Sequence, residues 1–172
     1  MRILRRVGIA LLAAALVFLL WRAVLLGVGL LVLYVLGFIG WQQFTIWSAT
    51  QRVRREYRSL GKDLLLVYSN SPHWQSYVET NWFPRWKERA VILNWSERLT
   101  WNENQPEVAL FQALASHREY NPLAIVVPPR GRPLVVRFWK AFRDYKHGKD
   151  QKLKQQETEL ERLLALHPPP GT

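Results

Sequence analysis

Ser69-Asn70-Ser71-Pro72-His73 is the stretch of this 172-residue chain whose side chains come nearest to chemistry. It follows a short apolar run and precedes a helical pattern, so it is expected where a strand hands over to a helix N-terminus. Unpaired amides and the positive end of the helix dipole gather at such a point. Two hydroxyls and a carboxamide beside them make a turn able to hold an anion. His73 adds a donor that titrates near neutral pH. Trp74 comes next, and Trp95 with Trp101 brackets a polar loop further on. Tryptophan is enriched at interaction hot spots, so an exposed aromatic surface is expected near these positions. A plainly capped helix with a surface histidine has the same sequence signature.

Other chemistries find no support. The chain has no cysteine, which removes disulfides, thiolate metal ligands and dithiol exchange. His73, His117, His147 and His167 follow no metal-ligand spacing, and no HExxH, P-loop, GxGxxG or GxSxG is present. Glu97 and Glu103 could work as acid and base only if folding brought them into one pocket. No catalytic residue, metal or cofactor is therefore assigned.

The elements that must hold the turn are legible from apolar patterning. Leu64–Tyr68 is apolar at every position, as a central strand buried on both faces should be. A helix follows with Trp74, Tyr77, Val78 and Trp82 at helical spacing, kinked or restarted at Pro84. Residues 91–93 form a second strand, 97–105 a polar connection and 106–116 a second helix. Asn121-Pro122 leads into a strand at 123–127, a Pro/Gly turn and a strand at 134–138, read as an antiparallel hairpin. Gln151–Leu166 is a terminal amphipathic helix with Leu153, Leu160, Leu163 and Leu164 inward and Asp150 as its cap. The order is β-α-β-α-β-β-α. Two right-handed crossovers would make its first three strands parallel, with the hairpin adding an antiparallel edge.

The N-terminal third belongs to a different solvent. Between Val7 and Trp41 only Arg22 is charged. A helix apolar on every face is expected in a bilayer, and Trp-Arg stands where a signal peptidase would need small residues. As one helix, residues 7–41 reach about 52 Å at about 1.5 Å per residue, against a hydrocarbon core of about 30 Å. Either a helical hairpin with Arg22 at its tip or a single span over 23–41 meets this length, and the hairpin is the favoured form. Residues 42–62 form a juxtamembrane basic helix with Val53, Tyr57 and Leu60 on one face. That face either lies along anionic headgroups or packs on the soluble domain. The domain occupies 63–167, and 168–172 is a disordered tail.

Charge follows this division. The formal charge is +11, of which residues 1–62 carry nine basic side chains against Glu56, a net +8. The rest is near balance, so a phosphate-tracking surface and a nucleic-acid partner are not expected. Arginines flanking an apolar span place the soluble domain on the cytoplasmic face.

Residues 63–166 resemble the thioredoxin-like fold. In that family a buried strand runs into the active-site turn at a helix N-terminus, where CxxC sits; here the place is held by Ser71-Pro72-His73-Trp74-Gln75. The family also has a cis-proline just before its third strand, then a tight hairpin and a terminal helix. Asn121-Pro122-Leu-Ala-Ile-Val-Val, Pro-Pro-Arg-Gly-Arg-Pro and Leu-Val-Val-Arg-Phe look like that pattern. A Rossmann-like α/β sheet is the alternative fold. The resemblance implies a cleft between the turn and Pro122, without thiol–disulfide activity. The expected function is a membrane-anchored interaction or adaptor module with a protein partner and the lipid bilayer. Ser69, Asn70, Ser71, His73, Trp74, Trp95 and Pro122 are its candidate binding residues. The alternatives are a membrane-bound enzyme acting on a small anionic substrate at the same turn, and a structural subunit of a membrane complex.

Overall fold

The structure is a computed structural model and describes residues 2–115 and 121–168. His117 and the expected end of the second helix, with most of the 168–172 tail, lie outside the described residues. The chain divides into two units, Met1–Phe44 and Thr45–Thr172.

The first unit is helical throughout its described residues, as the N-terminal part of α1, Arg2–Leu60. No turn interrupts α1 at Leu20–Ala23, so the hairpin expected there is not formed. Leu-Trp-Arg-Ala offers neither glycine nor proline to break a helix, and local propensity prevails. Every side chain from Leu16 to Phe44 is exposed, and Arg22 lies over the Phe18 ring at 5.6 Å. Among the described residues this is the one helix long and apolar enough to cross a membrane.

The second unit is an α/β domain on a four-stranded mixed sheet, order β2-β1-β3-β4. The strands are β1 Leu64–Tyr68, β2 Ala90–Asn94, β3 Leu123–Val126 and β4 Leu134–Arg137. Between β1 and β2 lie α2 Gln75–Tyr77, a π-helical turn Val78–Trp82 and α3 Phe83–Trp86. In the π turn Phe83 N–H reaches back five residues to the Val78 carbonyl. With the ladder already shifted, Pro84 enters the first turn of α3 without breaking the helix. A 3-10 helix, Trp95–Thr100, and α4, Pro106–Leu114, follow β2. After the hairpin come α5 Trp139–Tyr145, which the sequence pattern did not predict, and α6 Gln151–Leu166, which it did. Asp150 does not cap α6 through its side chain; it pairs with Lys154 at 2.5 Å instead.

β1 pairs parallel with β2 but antiparallel with β3, which pairs antiparallel with β4. The expected second parallel crossover is thus absent. A strand buried on both faces has the same apolar pattern in either direction, so its sequence carries no sign of which way it runs. The Asn121-Pro122 peptide bond is cis.

Alternation along β1 divides the core into two layers. Leu64, Leu66 and Tyr68 face Trp82, Phe138, Phe142, Leu153, Leu160 and Leu164. Leu65 and Val67 face Val108, Phe111 and three residues of α1, Ala49, Val53 and Tyr57. The C-terminal part of α1 therefore packs on the sheet through a four-residue spacing, while Leu60 is exposed. Burial also settles the tryptophans. In the domain Trp82 and Trp86 are buried in the core, while Trp74, Trp95, Trp101 and Trp139 are half-buried, each partly enclosed and partly at the surface.

Candidate functional site

Tyr68 stands opposite Asn94, and Val67 opposite Leu123. One end of the sheet thereby collects the turn after β1, the loop after β2 and the residues before β3. Hydrogen bonds join the first two. Asn70 N–H donates to Ser96 Oγ at 3.0 Å, and Asn94 Nδ2 donates to Asn70 Oδ1 at 2.8 Å. Asn94 Nδ2 also donates to Glu97 at 3.0 Å, and Asn94 Oδ1 accepts from Ser96 N–H at 3.1 Å. Asn94 is thus the post that holds both loops.

Within the turn the hydroxyls serve the backbone and the indole. Ser69 Oγ accepts from Trp74 Nε1 at 3.1 Å, and Ser71 Oγ accepts from His73 N–H at 3.4 Å. The Ser71 carbonyl takes bonds from Trp74 and Gln75, closing the first helical turn. His73 is exposed, its ring 6.3 Å from that of Trp74, and Trp74 in turn packs on Phe142. Pro122 is buried and its carbonyl accepts from Phe138 N–H at 2.9 Å.

Six of the seven sequence-nominated residues come together at this end of the sheet. The ring of Trp95 does not. It packs edge-on against Trp101 and Phe111 in the layer beneath the opposite sheet face from Trp74, with Arg98 stacked 5.1 Å above it.

A cleft of about 330 Å³ lies beside the turn, with walls that include His73, Trp74, Ser76, Tyr77, Thr80 and Tyr145; Ser69, Asn70, Ser71 and Pro122 do not line it. Ser76, Thr80 and Tyr145 escaped the sequence reading. The signal for the first two was there: positions 73, 76, 77 and 80 share one helix face. Tyr145 belongs to the unpredicted α5. Tyr77 is anchored from behind, its hydroxyl donating to Glu157 Oε1 at 2.9 Å. Burial first, and the bond to that carboxylate second, push the Tyr77 phenol well above its ordinary range.

This arrangement provides hydrogen-bonding and aromatic surface rather than an activated nucleophile. Among the described residues neither serine hydroxyl bonds to a histidine ring or a carboxylate, the pairing that nucleophilic catalysis requires. Among the described residues no three His, Asp or Glu side chains gather as metal ligands would. No protein-family model matches the chain, and comparison with curated proteins and with solved structures gives no match either.

Proposed function

We propose that this chain is a membrane-anchored, non-redox thioredoxin-like domain whose cytoplasmic cleft binds a segment of a partner protein. The observation that carries the reading is the meeting of the Ser69–Trp74 turn with the Asn94–Ser96 loop through the 2.8 Å Asn94–Asn70 bond, next to Pro122 in register. That constellation presents the exposed Asn70 carboxamide, an imidazole and an indole edge, with Asn94 holding them from behind. Such groups recognise backbone amides and side chains of an extended peptide. A parallel β-α-β half joined to an antiparallel β-β-α half supports the thioredoxin-like assignment. The exposed apolar stretch of α1 over residues 16–44 supports the anchor, and the net +8 of residues 1–62 supports the cytoplasmic orientation.

The test is photocrosslinking of the full chain in native membranes, with the reactive group replacing His73 and a control at Arg162. A discrete protein adduct at position 73 alone supports the adaptor and identifies its partner by mass. A small-molecule adduct turns the reading towards an enzyme on an anionic substrate. Equal labelling at both positions overturns the cleft and leaves the membrane helix as the working part.

A further inference from the structure

Arg54, on α1, reaches the turn between β3 and β4. Its Nε donates to the Pro128 carbonyl at 2.8 Å, and a terminal nitrogen donates to the Gly131 carbonyl. Gly131 has φ of +89°, a conformation that strains any residue with a Cβ. The exposed Arg130 and Arg132 flank this contact. On α1 itself Ala49, Val53 and Tyr57 face the core, while Arg52, Arg55 and Arg58 are exposed. Arg58 follows Arg54 by one helical turn, so exposed arginines of α1 and of the β3–β4 turn, distant in sequence, meet around one clip. Glu56 is the single acidic residue between positions 45 and 62.

We propose that this patch binds anionic lipid headgroups, with Arg54 acting as the clip that presents Arg130 and Arg132 to the bilayer. The proposal rests on the membrane reading above. It favours lipid over another polyanion because of what adjoins the patch. Trp47, exposed, precedes Arg54 on the same helix by about 10 Å at about 1.5 Å per residue. An interfacial tryptophan marks the headgroup level, and about 10 Å is close to one screening length at physiological salt. Guanidinium groups pair with phosphate and carboxylate in a two-point geometry, so phosphatidylserine offers matched partners.

The absence of native cysteine permits a clean test on the full chain. A nitroxide is attached at Pro129→Cys, and separately at Gln155→Cys on α6 as reference. The protein is placed in nanodiscs of phosphatidylcholine, with or without phosphatidylserine, and collision with an aqueous nickel chelate is measured. Phosphatidylserine is expected to shield position 129 and not 155, and high salt to remove the shielding. One arginine near an anionic surface is worth roughly fivefold in binding, so R130Q/R132Q is expected to weaken shielding more than tenfold. R54Q is expected to abolish most of it with Arg130 and Arg132 still present, while a cooperative thermal transition shows that the chain remains folded. Equal accessibility in both lipids, or a response untouched by R54Q, overturns the proposal. So does shielding seen only in native membranes, which points to an acidic protein. A chain that fails to stay in the discs refutes the anchor instead, so the two failures are distinguishable.

Discussion

Trp82 and Glu157 are joined by a 2.7 Å hydrogen bond from the indole Nε1 to the carboxylate Oε1. Both are buried, and the same oxygen accepts from Tyr77 while Oε2 accepts from Arg85 at 3.2 Å. A buried indole and a half-buried phenol each need an acceptor, and one carboxylate on α6 serves both. This network fixes the wall behind the cleft.

Removing that acceptor leaves the buried indole and the half-buried phenol unpaired. Glu157→Ala is expected to cost about 3 kcal/mol and Glu157→Gln about 1, since the amide oxygen keeps an acceptor in place. Thermal unfolding of the detergent-solubilised chain, followed by tryptophan fluorescence, measures both. Equal costs would show that shape, and not the hydrogen bonds, matters there.

Tyr77 gives the domain an alkaline limit. Its phenol holds the proton to higher pH folded than unfolded, so its contribution is complete below about pH 10 and is lost as pH rises through the folded value. Tyr77→Phe is therefore expected to flatten the fall in melting temperature above about pH 10, while costing about 1 kcal/mol at neutral pH. An unchanged alkaline slope would assign that limit to another group.

Asp63 precedes β1 and is 1% exposed, with Arg89 gripping both of its oxygens. Burial outweighs that pairing and lifts the Asp63 carboxyl above its usual range. A raised folded value means that protonation is easier in the folded state. The contribution is full below about pH 4 and declines as pH rises through the folded value. Arg89→Gln is expected to cost about 3 kcal/mol at pH 7, because it strands a buried charge. Melting curves in acid check the corollary, which is that this cost shrinks as Asp63 takes up a proton.

The boundary of an independently folding fragment lies inside α1. A fragment starting at residue 63 lacks Ala49, Val53 and Tyr57 and exposes one face of the sheet. It is expected to aggregate, whereas one starting at 45 is expected to give a cooperative transition. In the full chain Tyr57→Ala is expected to cost about 3–5 kcal/mol by emptying a large buried site.

Legibility in the sequence followed the strength of the apolar pattern. β1 and α6 stood out because unbroken apolar residues, or leucines at helical spacing, admit one reading. Strand direction was hidden, as β3 shows, since burial on both faces erases it. Glu157 was overlooked because glutamate on an amphipathic helix is normally solvated; its position four after Leu153 and three before Leu160 was the available clue. At the site, the turn was identifiable from Ser-Asn-Ser-Pro-His, but Asn94 as its support was not, because its bonds form only once β1 and β2 pair. The packing of Trp95 is hidden in the sequence for a related reason: its partner Phe111 lies a whole element away.

The central place of β1 has a consequence during synthesis. This strand leaves the ribosome before either neighbour and presents two unpaired backbone edges and two apolar side-chain faces. Its Asp63 waits for Arg89, which itself donates to the Leu164 carbonyl at the end of α6. At about 5–20 residues per second, the roughly hundred residues between β1 and the end of α6 take about 5–20 s to appear. For that interval the nascent strand needs another surface, and Ala49, Val53 and Tyr57 of α1, already made, are the first that the chain itself supplies.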